Sequence, residues 1–225
     1  MVSKKDNLLR LAISRKNSRW DGYDCISDFH GGVYECNYVS PYTIGAHNAD
    51  SPLMILLQDW ASSDVLSGPI LHERYQIGHD STRPTNVQLQ NLLFDHFKLK
   101  LRDTYATNVF PFVKRGPMKS QIDSKALIKA AEVFAIPQIE IVAPRFAVCC
   151  GKDAFRAVAT AAGHRVAANM NMNEAISSPF MMGTTKVWCQ AHTGRMGVSN
   201  RGGIEKVSDD WATMSKDFFG AIVES

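Results

Sequence analysis

The chain has 225 residues, 45% of them hydrophobic and 21% charged, with a mean hydropathy of −0.16, a composition that suits an ordinary soluble globular chain able to bury one core. No window approaches the roughly 18 uninterrupted apolar residues of a membrane span, and Val2-Ser3-Lys4-Lys5-Asp6 lacks the apolar centre of a signal peptide, so no membrane partner and a cytoplasmic location are expected. A net charge of +3 and a pI near 8.6 permit an anionic partner such as nucleic acid without demanding one. Five cysteines with no Cys-x-x-Cys spacing argue against a disulfide framework and against a cysteine-held metal. Cys149 and Cys150, inside an apolar run, read as small buried residues.

In chain order, residues 4–17 place Leu8, Leu9, Leu11, Ala12 and Ile13 among basic residues, predicting a short amphipathic helix. Residues 18–50, rich in Gly, Asn, Tyr and Ser, form an irregular layer wrapping the core, with turns at Gly31-Gly32 and 37–41. Leu53 to Leu57 is a five-residue apolar run bounded by turn signals, the pattern of a strand covered on both faces. Val87, Leu89, Leu92, Leu93 and Phe97 recur at helical spacing over 86–98, and Tyr105 to Phe110 follows as a second strand. Residues 123–141 read as one helix broken before Pro137 and resumed behind it. A third strand, 145–150, runs into a helix opening at 151–158. A fourth, 186–190, precedes His192, and 205–223 is a closing amphipathic helix. Strands alternating with helices imply a three-layer αβα sandwich on a central, mainly parallel four-stranded sheet, one domain over 1–225.

Two segments carry ionisable groups at the carboxyl ends of such strands, where open α/β sheets form their ligand crevice: Leu57-Gln58-Asp59-Trp60-Ala61-Ser62 and Ala191-His192-Thr193-Gly194-Arg195-Met196-Gly197. The first resembles the water-activating motif of the uracil-DNA glycosylase superfamily and the second its His-Pro-Ser loop. Thr107-Asn108-Val109-Phe110-Pro111-Phe112 is similar to the strand that carries a uracil-reading Asn. Val148-Cys149-Cys150-Gly151-Lys152-Asp153-Ala154 is similar to a Leu-Gly-Lys-x-Ala turn, and Arg83-Pro84-Thr85-Asn86 to a Gly-x-Pro-Phe segment. Leu57 stands where the family usually has Gly, Thr193-Gly194 where it has Pro-Ser, and no Phe follows Pro84. The resemblance implies a monofunctional DNA glycosylase that excises uracil or a 5-substituted uracil in base excision repair. It would need no cofactor and no metal, would bind lesion-containing DNA, and is expected to be a monomer.

The chemistry can be argued from the residues. Breaking an N-glycosidic bond develops positive charge on the sugar and negative charge on the departing base. Asp59 is placed to orient or deprotonate water and His192 to donate to the leaving base; the competing readings are a turn or helix-capping carboxylate and a loop histidine bonded to backbone. Asn108 could accept from uracil N3–H and donate to O4, a pattern cytosine reverses, or could be a turn former. Gln58, Trp60 and Ala61 would line the base site, Ala61 leaving room for a 5-substituent unless Trp60 fills it; Tyr105 and Phe110 read as core. The stretch 194–203 reads either as a DNA-contacting loop in which Met196 acts as a wedge and Arg195 and Arg201 hold phosphate, or as a mobile polar surface loop; Lys114 and Arg115 belong to a second such loop or to solvated surface, with Ser120 and Lys152 weaker candidates. A metal hydrolase built on His72, Glu73, His79 and Asp80 lacks a ligand helix. The alternatives are a glycosylase-fold protein that only binds DNA and a hydrolase of free nucleosides or nucleotides.

Overall fold

The computed structural model describes residues 2–167 and 169–220. Helix α1 (Lys4–Asn17) opens on a capping box: the Ser3 hydroxyl accepts from the Asp6 amide while the Asp6 carboxylate accepts from the Ser3 amide. Near its end the buried Arg15 pairs with Glu35 and donates to the carbonyls of Cys36, Tyr38 and Val39. One guanidinium fork thus pins the wrapping segment 18–50, which contains β1 (Tyr23–Asp24) and three short 3-10 turns.

The remaining elements run β2 (Leu53–Asp59), α2 (Ser63–Leu66), α3 (His72–Ile77), α4 (Pro84–Phe97), β3 (Tyr105–Phe110), β4 (Val113–Lys114), α5 (Ser124–Ala130), α6 (Ile136–Val142), β5 (Phe146–Cys150), α7 (Lys152–Ala161), α8 (Met172–Ile176), β6 (Phe180–Met182), β7 (Thr185–Gln190), α9 (Arg195–Arg201) and α10 (Ile204–Gly220). The central sheet has the order β3-β2-β5-β7-β6. Its first four strands are parallel, so the chain is α/β as the alternation of elements predicts.

Period-two alternation divides the buried side chains. Met54, Leu56, Tyr105, Val109, Ala147 and Cys149 face one helical layer with Leu127, Phe134, Ile139, Phe155 and Val158; Leu53, Ile55, Leu57, Ala106, Val148 and Cys150 face the other with Leu89, Leu93, Val207, Trp211 and Phe218. Cys149 and Cys150 therefore point to opposite faces, both thiols fully buried and free.

The structure corrects three expectations and leaves the end of a fourth outside the described residues. The sheet has five strands rather than four: β6 pairs antiparallel with β7 across a two-residue turn at Gly183-Thr184, and three residues are too few to show a period. The 123–141 helix is not broken at Pro137. A π-helical stretch, Ala131–Ala135, joins α5 to α6 and absorbs the missing prolyl N–H. Residues 195–201 are a helix rather than a loop, ended by Gly202 in the left-handed region. The closing helix is described to Gly220; residues 221–223 lie outside the described residues.

Leu56 sits in β2 between β3 and β5, opposite Thr107 and Cys149, and is fully buried. Leu56→Ala is expected to lower unfolding free energy by about 2–5 kcal/mol, read as a lower urea midpoint at unchanged slope.

Candidate active site

Parallel pairing brings the carboxyl ends of β2, β5 and β7 to one edge of the sheet, so Asp59 and the loop after Gln190 meet there. The Asp59 side chain is only 8% exposed, and the Lys114 ammonium, 6% exposed, lies 2.9 Å from its Oδ2. This contact is an ion pair without hydrogen-bond alignment, for Oδ2 has no aligned donor among the described residues. Lys114 belongs to β4, where it pairs with Tyr23 of β1 and bridges to Ser62 beyond β2. Backbone pairing on both sides holds it inward, which corrects the expectation of a solvent-facing phosphate contact.

Burial pushes the Asp59 carboxyl above its ordinary pKa, while the charges of Lys114 and then His192 pull it back. Burial pushes the His192 imidazole below its ordinary value, against the opposing pull of Asp59 and with a further push down from Lys114. His192 is therefore neutral at pH 7. Its Nδ1 accepts from the Gly194 amide at 3.0 Å, which leaves the ring proton on Nε2 and makes that nitrogen a donor. Thr193 fastens the same loop to the start of α4, its hydroxyl donating to the Thr85 carbonyl at 2.8 Å.

Asp59 and His192 share a cavity of about 320 Å³ with Leu57, Gln58, Trp60 and Lys114. Its far wall is built by Tyr42, His79, Asn86, Arg74, Asp80 and Arg83. Tyr42 stacks on His79 with ring centroids 5.0 Å apart and donates from Oη to Asn86 Oδ1 at 2.8 Å. Asn86 Nδ2 in turn donates to the Asp80 carbonyl. Trp60 is held, its Nε1–H donating to the Gly78 carbonyl at 2.7 Å, so it does not swing. Gly78 allows this packing with φ +80°, since a Cβ there would lie 1.8 Å from the Pro41 carbonyl oxygen.

Other expected residues stand elsewhere. Ala61 is buried with Ile26, Tyr34, Leu66 and Val113 and does not line the cavity, so it cannot make room for a 5-substituent there. Asn108 is fully buried, opposite Leu57 in the β2–β3 register and outside the cavity lining. Its Oδ1 accepts from the Ser40 hydroxyl at 2.5 Å, and its Nδ2 has no partner among the described residues. Arg115 is paired with Asp24 at 2.9 Å. Arg201 forms a two-pronged pair with Asp210 that ties α9 to α10, so it is a packing residue rather than a phosphate clamp. Arg195 is exposed at the start of α9, followed by Met196 at 78% exposure. Among the described residues no group of three or more His, Cys, Asp or Glu could hold a metal; Glu73 is occupied by Ser81.

Sequence reading missed Tyr42, Arg74 and Asn86. Asn86 adjoins the noticed Arg83-Pro84, but Tyr42 and Arg74 lie in segments without period and reach the cavity through tertiary packing alone.

The fold is a three-layer α/β sandwich, and one crevice at its sheet edge holds a buried carboxylate and a neutral histidine. The model of the uracil DNA glycosylase superfamily matches residues 67–209, and the chain belongs to that superfamily. A glycosylase-type function and DNA binding go with that membership. The match begins beyond Asp59, whose place rests on the geometry above. No curated protein matches the chain, and no described helix is long and apolar enough to cross a membrane.

Gly197 lets α9 lie against the His192 backbone, for a Cβ there would come 2.1 Å from the His192 carbonyl oxygen. Gly197→Ala is expected to displace that loop and lower kcat/KM by about a hundredfold, with melting measured alongside to establish that the variant is folded. Removing the cation by Lys114→Met raises the Asp59 pKa further. If ionised Asp59 is the active form, the acid limb of the kcat/KM profile moves to higher pH; an unmoved limb means Lys114 does not tune the carboxylate.

Proposed function

We propose that the protein is a monofunctional, monomeric DNA glycosylase that hydrolyses the N-glycosidic bond of uracil or a 5-substituted uracil in DNA. The observation that carries this reading is the facing of Asp59 and His192 across one cavity, with the imidazole held as an Nε2–H donor. Asp59 orients a water and takes its proton as the oxygen adds to the sugar C1′. Its raised pKa makes it a better base near neutrality, and its charge stabilises the cationic sugar. The bonding pair of the C1′–N bond leaves with the base as an anion, which His192 Nε2–H stabilises by donating to O2. A neutral imidazole gives this hydrogen bond without surrendering its proton.

Asn108 is assigned to the base. It stands opposite the cavity-lining Leu57 in the β2–β3 register, and its buried Nδ2, without a partner among the described residues, costs about 1–3 kcal/mol unless a ligand meets it. The fixed Trp60, rather than Ala61, forms the wall that decides whether a 5-substituent fits, with Gln58 beside it.

Room for the strand comes from a second hollow of about 940 Å³ that shares Gln58, Lys114 and Met118 with the first and carries Lys119, Ser120, Arg156 and Met196 on its walls. Met196, the most exposed large apolar side chain among the described residues, is placed to wedge the duplex as the nucleotide leaves the stack, beside Arg195 for phosphate.

The test is alkali cleavage of oligonucleotides carrying uracil, 5-hydroxymethyluracil, or thymine opposite guanine, after incubation with the protein. Wild type is expected to yield cut strands from uracil. Asp59→Asn and His192→Ala are each expected to be slower by about 10²–10⁴-fold, and Asn108→Ala to lose preference for uracil over cytosine. Strands left whole by wild type on every lesion would sink the glycosylase reading. Variants as fast as wild type would sink the role assignments, and loss of base preference in Asn86→Ala instead of Asn108→Ala would move base reading to the cavity wall.

A further inference from the structure

The cavity contains a guanidinium that no described residue pairs or hydrogen-bonds with. Three cationic side chains line it, Arg74, Arg83 and Lys114, against two carboxylates, Asp59 and Asp80. Lys114 is matched to Asp59 at 2.9 Å and Arg83 to Asp80 at 3.5 Å. Arg74 is left over: its residue is 5% exposed, and its guanidinium makes no hydrogen bond and no ion pair with any described residue.

The carboxylates near it in sequence are engaged elsewhere. Glu73 accepts from the Ser81 amide and hydroxyl, and Asp80 accepts from the Thr82 amide and hydroxyl. Burial and the like charge of Arg83 disfavour the charged form of Arg74 more than Tyr34 and Asp80 at longer range favour it, yet a guanidinium does not lose its proton in a protein. An unpaired buried cation is strongly unfavourable unless an anion joins it.

The scaffold holds this cation at the wall. Arg74 lies in α3, whose first residues are tethered by the Leu71 amide donating to Tyr34 Oη at 3.1 Å. The turn after α3 is clamped by Trp60 Nε1–H on the Gly78 carbonyl. Trp60 follows Asp59 directly, so the guanidinium and the reacting carboxylate are fixed to one rigid frame. The cavity lies at the small end of the range for ligand sites, roughly 300–1,000 Å³, so an anion held by Arg74 belongs to the same small group that occupies the rest of it. Among the parts of a nucleotide the phosphate is the anion, and a planar guanidinium grips it through two parallel hydrogen bonds.

We propose that Arg74, with Arg83 beside it, is a phosphate-binding subsite that takes a phosphate attached to the nucleotide whose base is removed. The inference rests on the glycosylase reading for the identity of that nucleotide. The phosphate could be a backbone phosphodiester of DNA or the monoester of a free nucleotide. The chemistry of capture is the same.

The experiment measures binding of a short duplex containing a non-cleavable abasic analogue, with each phosphate around it replaced in turn by a neutral methylphosphonate. In wild type, neutralising one phosphate is expected to weaken binding by roughly ten- to a hundredfold. In Arg74→Gln that position should lose its effect while the others keep theirs; Arg74→Lys should restore part of it. Identical profiles in wild type and Arg74→Gln would overturn the proposal. A second arm uses deoxyuridine 5′-monophosphate as competitor: if it displaces the duplex at comparable concentration from wild type and not from Arg74→Gln, the phosphate belongs to a free nucleotide and the subsite stands.

Melting temperatures give an independent check. Arg74→Gln should melt no lower than wild type, since it removes a buried charge and breaks no partner, and inorganic phosphate should raise the melting point of wild type more than that of the variant. A loss of several degrees in the variant would show that Arg74 serves the fold and would overturn the subsite. Because binding is read on a substrate that cannot be cleaved, phosphate coupling without base release from uracil-containing DNA would refute the glycosylase reading alone. Base release with unchanged kcat/KM in Arg74→Gln would refute the subsite alone.

Discussion

The burial of Asp59 beside Lys114 is the constraint around which this protein is arranged. A carboxylate at the end of a central strand, 8% exposed, is unfavourable as an ion unless a charge opposes it, and the fold brings an ammonium to 2.9 Å. The pairing keeps Asp59 ionisable while burial keeps its basicity high, a combination that water alone would not give. His192 completes the balance. Its imidazole is driven neutral by the same burial, and the Gly194 amide decides which nitrogen keeps the proton.

That constraint explains why a wrapping segment without a core of its own is needed. Lys114 is turned inward because β4 pairs with β1 on one side and bridges to Ser62 on the other. Further along the same segment, the Arg15 fork of α1 ties residues 35–39 down through a buried ion pair and three carbonyls. The irregular amino-terminal layer, which shows no period in sequence, therefore supports the buried Asp59–Lys114 pair through β1. The same layer supplies Tyr42, whose ring stacks on His79 and whose hydroxyl fixes Asn86 at the cavity wall.

The arginines divide by partner. Arg15 and Arg201 are buried or nearly so and fully matched, so they hold the fold. Arg115 is matched at the surface. Arg74 is buried at the cavity without a match among the described residues, an arrangement with no benefit to folding, which is the physical ground for reading it as a ligand contact. Side-chain type in sequence does not separate these cases, for all are arginines in charged surroundings.

What the sequence by itself determined was the parallel part of the sheet and the two ionisable groups at its carboxyl edge. Continuous apolar runs at 53–57 and 146–150 must be covered on both faces, so they define parallel strands; Asp59 stands where the first run stops and His192 where the strand at 186–190 stops. Tertiary structure alone decided what those residues meet. The inward turn of Lys114, the withdrawal of Ala61 from the cavity, the burial of Asn108 behind Leu57 and the unpaired guanidinium of Arg74 depend on pairings between segments far apart in the chain. So do the short antiparallel β6 and the helix that replaced the expected loop at 195–201. Periodicity reports how a segment is buried; which partner a polar side chain faces is set by packing across the fold, and no local pattern encodes it.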